Sequence, residues 1–299
     1  MAAAQGQPPL GKPHWLKIRP PSGEKYLALK KQASQFQLAT VCQEARCPNI
    51  AECWGGGTAT FMIMGDTCTR GCRFCAVKTG NPRGWLDDNE PEKLASVIAE
   101  AGWQYVVLTS VDRDDLPDGG AAHFSRCIQA ITKQSPQCII ETLIPDFQDD
   151  AACLTTLLNS SPQLKVVAHN IETVDRLTKT VRDRRAGYRQ SLSVLKAIKQ
   201  ASPARYTKSS LMLGLGETDT EIRDCLGDLR ENKVDIITFG QYLQPTKYHF
   251  PVKRFVSPDE FKHWKIVAEQ EFGFLFCASG PLVRSSYRAG ELFIQSRLA

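Results

Sequence analysis

From about residue 59, short runs of apolar and β-branched residues alternate with longer stretches whose apolar positions recur at helical spacing. The short runs at 59–64, 104–109, 138–143, 164–168, 207–213 and 234–239 predict strands. The longer ones predict helices near 91–101, 120–134, 149–159, 187–200 and 218–231, with a last one near 258–271. Pro91 and Pro258 suit first helical turns, where a missing N–H costs nothing, and Asp149 and Thr218 suit caps. Six successive strand–helix units predict a parallel sheet with helices outside it. A closed barrel needs eight, so the expected fold is α/β, a partial (βα)6 barrel of TIM type whose working groups gather at the C-terminal strand ends.

The flanks break this rhythm. Residues 1–57 read as an irregular arm that carries three cysteines and ends in Trp54-Gly55-Gly56-Gly57. Residues 58–272 form the barrel, and 273–299 form a C-terminal extension with one more apolar run and then Arg284-Ser285-Ser286-Tyr287. Both extensions are expected to cover the open mouth.

Composition narrows the function classes. Hydrophobic residues make up 42% and charged ones 23%, as in an ordinary globular enzyme. The net charge of +5 is too small to argue for nucleic acid, though a mildly basic surface suits an acidic protein partner. No apolar run approaches the roughly 18–20 residues of a membrane span. The start, Met1 to Pro9, has neither the charged and apolar regions of a secretory signal nor the Arg and Ser of a transit peptide, so a cytoplasmic location is expected.

Cysteine changes the picture more. There are eleven, an odd number, and six lie between Cys42 and Cys75, which suits metal binding better than a disulfide framework. Cys68, Cys72 and Cys75 are spaced C-x3-C-x2-C directly after the first predicted strand. Three thiolates there can hold three irons of a [4Fe–4S] cluster and leave the fourth iron open to chelate a small molecule. A structural zinc site would need four ligands, usually from two knuckles, and no second knuckle follows. Cys42, Cys47 and Cys53, spaced C-x4-C-x5-C, make a second cluster the economical reading; packing or zinc is the alternative.

The first triad, with Phe74 before its last cysteine, resembles the radical S-adenosylmethionine superfamily. Both triads in this order, followed by Arg284-Ser285-Ser286-Tyr287, resemble the lipoyl synthase family. The resemblance extends to Glu44-Ala45-Arg46-Cys47-Pro48-Asn49, Gly65-Asp66-Thr67-Cys68, Thr109-Ser110-Val111-Asp112-Arg113-Asp114-Asp115, Gly240-Gln241-Tyr242-Leu243-Gln244-Pro245 and Gly280-Pro281-Leu282-Val283, so it spans about residues 40 to 290. It implies that Cys68, Cys72 and Cys75 bind a radical-generating cluster, where S-adenosyl-L-methionine is cleaved to a 5′-deoxyadenosyl radical. It also implies that Cys42, Cys47, Cys53 and a serine, Ser285 in preference to Ser286, bind an auxiliary [4Fe–4S] cluster. That cluster would donate the two sulfur atoms inserted at carbons 6 and 8 of a protein-bound octanoyl-lysine. Those carbons carry no acidic hydrogen and no leaving group, so neither a base nor a nucleophile can act on them. The implied partners are octanoylated lipoyl carrier domains (E2 subunits of 2-oxoacid dehydrogenases, the glycine cleavage H protein), a ferredoxin or flavodoxin reductant and an iron–sulfur carrier protein.

Further cofactor contacts are expected at strand ends. Gly214 and Gly216 would let backbone approach a ligand, although a plain tight turn fits as well. Asn170 and Glu172 could reach the cofactor, while Glu172 could instead flank the next helix and His169 reads as a packed residue. The basic run Arg182, Arg184, Arg185 and Arg189 offers a docking site for an acidic carrier or a solvated helix start. Cys127, Cys138, Cys153, Cys225 and Cys277 read as buried structural thiols. Other sulfur-inserting radical enzymes, or a zinc or iron–sulfur scaffold without activity, are the competing classes.

Overall fold

The computed structural model describes residues 11–17, 39–40, 60–286, 293–294 and 297. Cys42, Cys47, Cys53 and Tyr287 lie outside them.

Seven parallel strands form the sheet in chain order: β2 (Thr60–Ile63), β5 (Tyr105–Ser110), β6 (Ile139–Leu143), β7 (Leu164–Ala168), β8 (Tyr206–Leu213), β9 (Ile236–Gln241) and β10 (Phe276–Gly280). A two-residue strand, β1 (Ala39–Thr40), adds antiparallel to β2 at the edge. β3 (Thr67–Cys68) and β4 (Lys78–Thr79) make a separate parallel pair. All six expected strands are present. Sequence periodicity missed β1, inside the arm read as irregular, and β10, which pairs with β9 inside the segment assigned to the C-terminal extension. Among the described residues β10 pairs only with β9, so the barrel is partial.

The helices are α1 (Glu90–Glu100), α2 (Ala121–Gln134), α3 (Ala151–Leu158), α4 (Asp175–Val181), α5 (Tyr188–Ala201), α6 (Asp219–Glu231) and α7 (Pro258–Ile266), the last running into a π turn at Val267–Glu271. Thr218 caps α6 in a capping box with Glu221. The cap of α3 is Asp150, not Asp149; Asp149 sits at φ 63°, and Asp150 accepts from the Ala152 N–H. α4 was not anticipated.

Outward-facing strand positions meet the helices in a dry layer. Leu94, Ile98, Leu108, Phe124, Ile128 and Ile140 are fully buried there. Each such side chain contributes roughly 1.5–3 kcal/mol. Inward positions taper along the strands. Tyr105, Ile139, Val166, Tyr206, Ile236 and Phe276 converge at the N-terminal ends around Phe293 and Ile294. The Tyr206 and Phe293 rings meet edge-on at 4.9 Å. One part of the C-terminal extension, expected over the mouth, therefore plugs the opposite end.

One layer up, Lys208 donates to Glu141 at 2.6 Å and the Tyr105 hydroxyl donates to it at 2.5 Å. Both charges are nearly inaccessible and are tolerable only because they are paired. At the C-terminal ends the same face carries small residues, Thr109, Ser210, Gly240 and Gly280. On these four strands bulk lies at the floor and falls away toward the mouth.

Candidate active site

The site begins where β2 ends. Met64 and Gly65 take φ values of 66° and 84°, which turns the chain sharply into the cysteine loop framed by β3 and β4. A non-glycine residue at positive φ needs support from its surroundings. Here Glu90 accepts from the Met64 N–H at 2.9 Å, and the Arg113 guanidinium donates to the Met64 carbonyl at 3.0 Å.

The loop is then clamped by charge. Arg70, buried beneath it, donates to both carboxylate oxygens of Asp114 at 2.7 and 2.9 Å. It also donates to both oxygens of Asp146 at 2.6 and 2.8 Å. Only the planar guanidinium fork satisfies two carboxylates in this way. The run after β5 divides its labour. Asp112 accepts from the Thr69 N–H through its carbonyl and lies beside Cys68, while Asp114 holds Arg70. Arg113 reaches back to Met64 and Trp85, and Asp115 takes Arg113 and the Gly84 N–H.

The segment after α4 closes the other side. The Asp183 carboxylate accepts from the Gly71 N–H at 2.8 Å, and the Asp183 N–H donates to Cys72 Sγ at 3.2 Å. Arg185 donates to the Thr69 carbonyl and pairs with Asp183 and Asp114. Arg182 is buried and donates to Ser191 Oγ, whose neighbour is His169 Nε2 at 2.9 Å. Two of the four arginines expected at a docking surface are therefore tied into the cysteine loop and its backing. Arg189 remains exposed, over Tyr188 and near Asp175 and Asp228.

Three half-buried thiols result. Burial, then Asp112, pushes Cys68 up to about 11, burial pushes Cys72 up to about 12, and burial raises Cys75. Asp112 itself is raised to about 6, mainly by burial, with Asp146 and Asp114 opposing ionisation and Arg70 favouring it. Such thiols stay protonated until a cation displaces the protons, as iron does.

The donor set fits a cluster better than a single ion. Sulfurs around one zinc, at bonds of about 2.3 Å, stand within about 4 Å of one another. Among the described residues the trio whose ligand atoms all lie within 4.8 Å is not this one but Glu90, His123 and Cys127. That trio is poorly suited to a metal. Arg126, which can only donate, faces His123 Nδ1 at 3.0 Å, so Nε2 carries the proton toward Glu90 at 2.6 Å. It reads as a buried link between α1 and α2.

The other expected residues fall at the same end of the sheet. Ser285 and Ser286 follow Val283, whose carbonyl lies over Gly240; a Cβ on Gly240 would stand 2.1 Å from it. Arg284 donates to the Gln241 carbonyl at 3.4 Å, so the serines sit above the end of β9. Glu172, at φ 67°, bridges to Leu211, and Asn170 donates to it at 3.1 Å. Burial raises the Glu172 carboxyl, and its charge is felt at Cys75, which places it beside the loop. Gly214 and Gly216 form a tight turn, with φ 97° and 103°. The N–H groups of Gly214 and Leu215 both donate to Glu217, at 2.6 and 2.8 Å. No helix of the described residues is long and apolar enough to cross a membrane.

This geometry agrees with the comparisons to known proteins. The profile of the radical SAM superfamily matches residues 62–229, and that of the N-terminal domain of lipoyl synthase matches residues 3–47. A lipoyl synthase of Halorubrum lacusprofundi is 55% identical over 96% of this chain and 92% of its own length. One from Myxococcus xanthus is 56% identical, covering 95% and 94%. The chain belongs to the lipoyl synthase family. A mitochondrial lipoyl synthase of Drosophila ananassae is also 56% identical, over 96% of this chain and 77% of its own length. Among solved structures, the hydrogenase maturase HydG from Carboxydothermus hydrogenoformans aligns with TM-score 0.59 at 13% identity, over 80% of this chain and 66% of that one. Methylornithine synthase aligns with TM-score 0.55 at 16% identity, over 84% and 70%. At those identities the likeness shows the fold, a partial barrel. As a lipoyl synthase family member the chain is a radical S-adenosylmethionine enzyme, with a [4Fe–4S] cluster and that cofactor.

Proposed function

We propose that this chain inserts two sulfur atoms, at carbons 6 and 8, into an octanoyl group carried on a lysine of a lipoyl carrier domain. What carries the reading is the loop of Cys68, Cys72 and Cys75, three convergent thiols held at the open end of a partial barrel in a chain 55% identical to a lipoyl synthase. When bound there, a cluster with one open iron supplies the electron that splits S-adenosyl-L-methionine.

The chain's own residues hold and shield that chemistry. The Asp183 and Arg70 N–H groups donate to Cys72 and Cys68 Sγ, at 3.2 and 3.4 Å. Hydrogen bonds to ligating sulfurs help set a cluster's potential. Arg70 and Arg185 keep the loop from shifting, and Asn170 and Glu172 would offer polar atoms to the cofactor. Cys42, Cys47, Cys53 and Ser285 would hold the auxiliary cluster, the sulfur source. A serine oxygen binds iron less tightly than thiolate, which suits a centre that must release sulfide. The position of Ser285 above the end of β9 supports this reading, and the three cysteines precede β2 in the chain. The carriers would be E2 subunits or the glycine cleavage H protein, with a ferredoxin or flavodoxin as electron source, an iron–sulfur carrier protein to rebuild the auxiliary centre, and the cytoplasm as location.

Reconstituted protein, incubated without oxygen with an octanoyl-lysyl peptide, S-adenosyl-L-methionine and dithionite, should yield peptide bearing two added sulfurs by mass spectrometry. Cys68→Ala, Cys72→Ala or Cys75→Ala should abolish cofactor cleavage. Cys42→Ala, Cys47→Ala or Cys53→Ala should preserve cleavage and stop insertion. Equal loss of cleavage in both sets, in folded protein, would overturn the division of roles.

A further inference from the structure

The outer side of the cysteine loop carries positive charge that no carboxylate among the described residues neutralises. Arg73, between Cys72 and Cys75, is exposed and lies over the Phe250 ring at 5.4 Å; Lys253 lies over the same ring at 5.8 Å. Lys247 sits 5.2 Å from the ring of Tyr248, which is 82% exposed, the most exposed large apolar side chain among the described residues. The Arg73 guanidinium donates to the Thr180 backbone carbonyl at 3.2 Å, and no described carboxylate pairs with Arg73, Lys247 or Lys253. The two arginines that hold the loop itself are matched instead: Arg70 by Asp114 and Asp146, Arg185 by Asp183.

The patch is also wired to the thiols. His249 Nε2 lies 2.9 Å from the Cys75 carbonyl, and the Phe250 N–H donates to the Arg73 carbonyl at 2.8 Å. The segment 247–250 is thus one side chain from a ligating cysteine on its inner side and faces solvent on its outer side. An aromatic centre ringed by uncompensated cations is the composition of a docking face for an acidic protein.

We infer that the face formed by Arg73, Lys247, Tyr248, Phe250 and Lys253 docks an acidic one-electron carrier protein that reduces the centre on Cys68, Cys72 and Cys75. This rests on the radical reading above and adds to it a place of electron entry. The carrier gives up one electron and the centre accepts it; no bond forms or breaks. An electron donor needs only short distance to the thiols, which this face offers. An acyl-lysine must instead enter the mouth, where the inward residues shrink to Thr109, Ser210 and Gly240.

The test compares two reductants on the reconstituted full chain and on a Lys247→Glu/Lys253→Glu double variant. Stopped-flow bleaching of the cluster is followed with reduced flavodoxin, an acidic protein donor, and with dithionite, a small ion that needs no docking face. The variant should be reduced by flavodoxin at least about tenfold more slowly at low salt, with the wild-type rate falling toward the variant's as ionic strength rises. Its dithionite rate and iron content should match wild type. Unchanged flavodoxin kinetics would overturn the proposal. So would equal slowing with both reductants, since that reports damage to the centre. If flavodoxin kinetics held while the KM for an octanoylated carrier domain rose, the face would belong to the acyl carrier and the inference would be wrong. A wild-type chain that reconstitutes no dithionite-reducible cluster would instead sink the radical reading itself.

Discussion

Two turns at the C-terminal end of the sheet use strained backbone and convergent N–H groups, and they use them in opposite ways. In the Gly214–Glu217 turn, the Gly214 and Leu215 donors end on a carboxylate two or three residues away. In the cysteine loop, Thr69, Gly71 and Arg73 donate to acceptors supplied by Asp112, Asp183 and Val181, far along the chain. That loop is held from outside, and its three sulfurs project without covalent partners. The first turn satisfies its own donors; the second is immobilised by remote groups and leaves its reactive atoms over, as a site requires.

The largest effect that would test this contrast is removal of the clamp. Arg70→Ala leaves the buried Asp146 without its cation, while the half-buried Asp114 keeps Arg185, and loss of a buried partner costs about 3–5 kcal/mol. Urea unfolding should show that loss, and iron retained per chain should fall by about half from the roughly eight that the two proposed four-iron clusters would hold. Arg70→Lys should recover little, because a point charge cannot fork to two carboxylates. Full iron in the alanine variant would mean that the loop needs no remote support.

Gly214→Ala probes the other turn. At φ 97°, a Cβ would stand 2.3 Å from Gln241 Nε2 and 2.5 Å from the Arg254 carbonyl. Left-handed strain of about 1–2 kcal/mol plus overpacking of about 1–3 kcal/mol should lower stability while the iron content stays at the wild-type level. Iron lost in proportion would join the two turns into one site.

The backing of the loop gives a pH signature. Burial, and then the nearby Arg182 charge, hold His169 down at about 4, against 6.5 for a free imidazole. Between those values the unfolded chain binds a proton that the folded chain refuses, so stability is complete above pH 6.5 and falls as pH drops toward 4. The loss is about 3 kcal/mol at one pKa unit per 1.36 kcal/mol. His169→Asn, whose amide nitrogen stands where Nδ1 was and can still donate to the Ile144 carbonyl, should flatten the melting temperature across that window. An unchanged slope would assign it to other groups.

The sequence made the barrel legible because its strands and helices have different apolar periods, and it made the thiols legible because their spacing is short and local. It missed α4, where only Leu177 and Val181 mark an apolar face in seven residues, and β10, a five-residue strand ending Ala278-Ser279-Gly280. The clamp was invisible for a different reason. Arg70 and Asp146 are 76 positions apart, and a long-range ion pair leaves no local pattern. Arg182 and Arg185 looked like a surface charge run because sequence shows charge but not the carboxylates and carbonyls that the fold sets opposite it.

The smallest change cuts most finely between the two kinds of turn. Glu217 is buried and uses one carboxylate oxygen on each of the Gly214 and Leu215 N–H groups. Glu217→Gln keeps one acceptor oxygen, now neutral, and replaces the other with a donor, so one backbone N–H loses its acceptor, at a cost of about 1.5–3 kcal/mol. The shape of the side chain is unchanged, so the packing around the turn should hold. A modest drop in the urea midpoint is expected, with unaltered affinity for S-adenosyl-L-methionine by equilibrium dialysis of the reconstituted protein. If affinity fell tenfold while the midpoint stayed put, the freed N–H would be facing the cofactor, and the self-satisfied turn would have to be counted as part of the site.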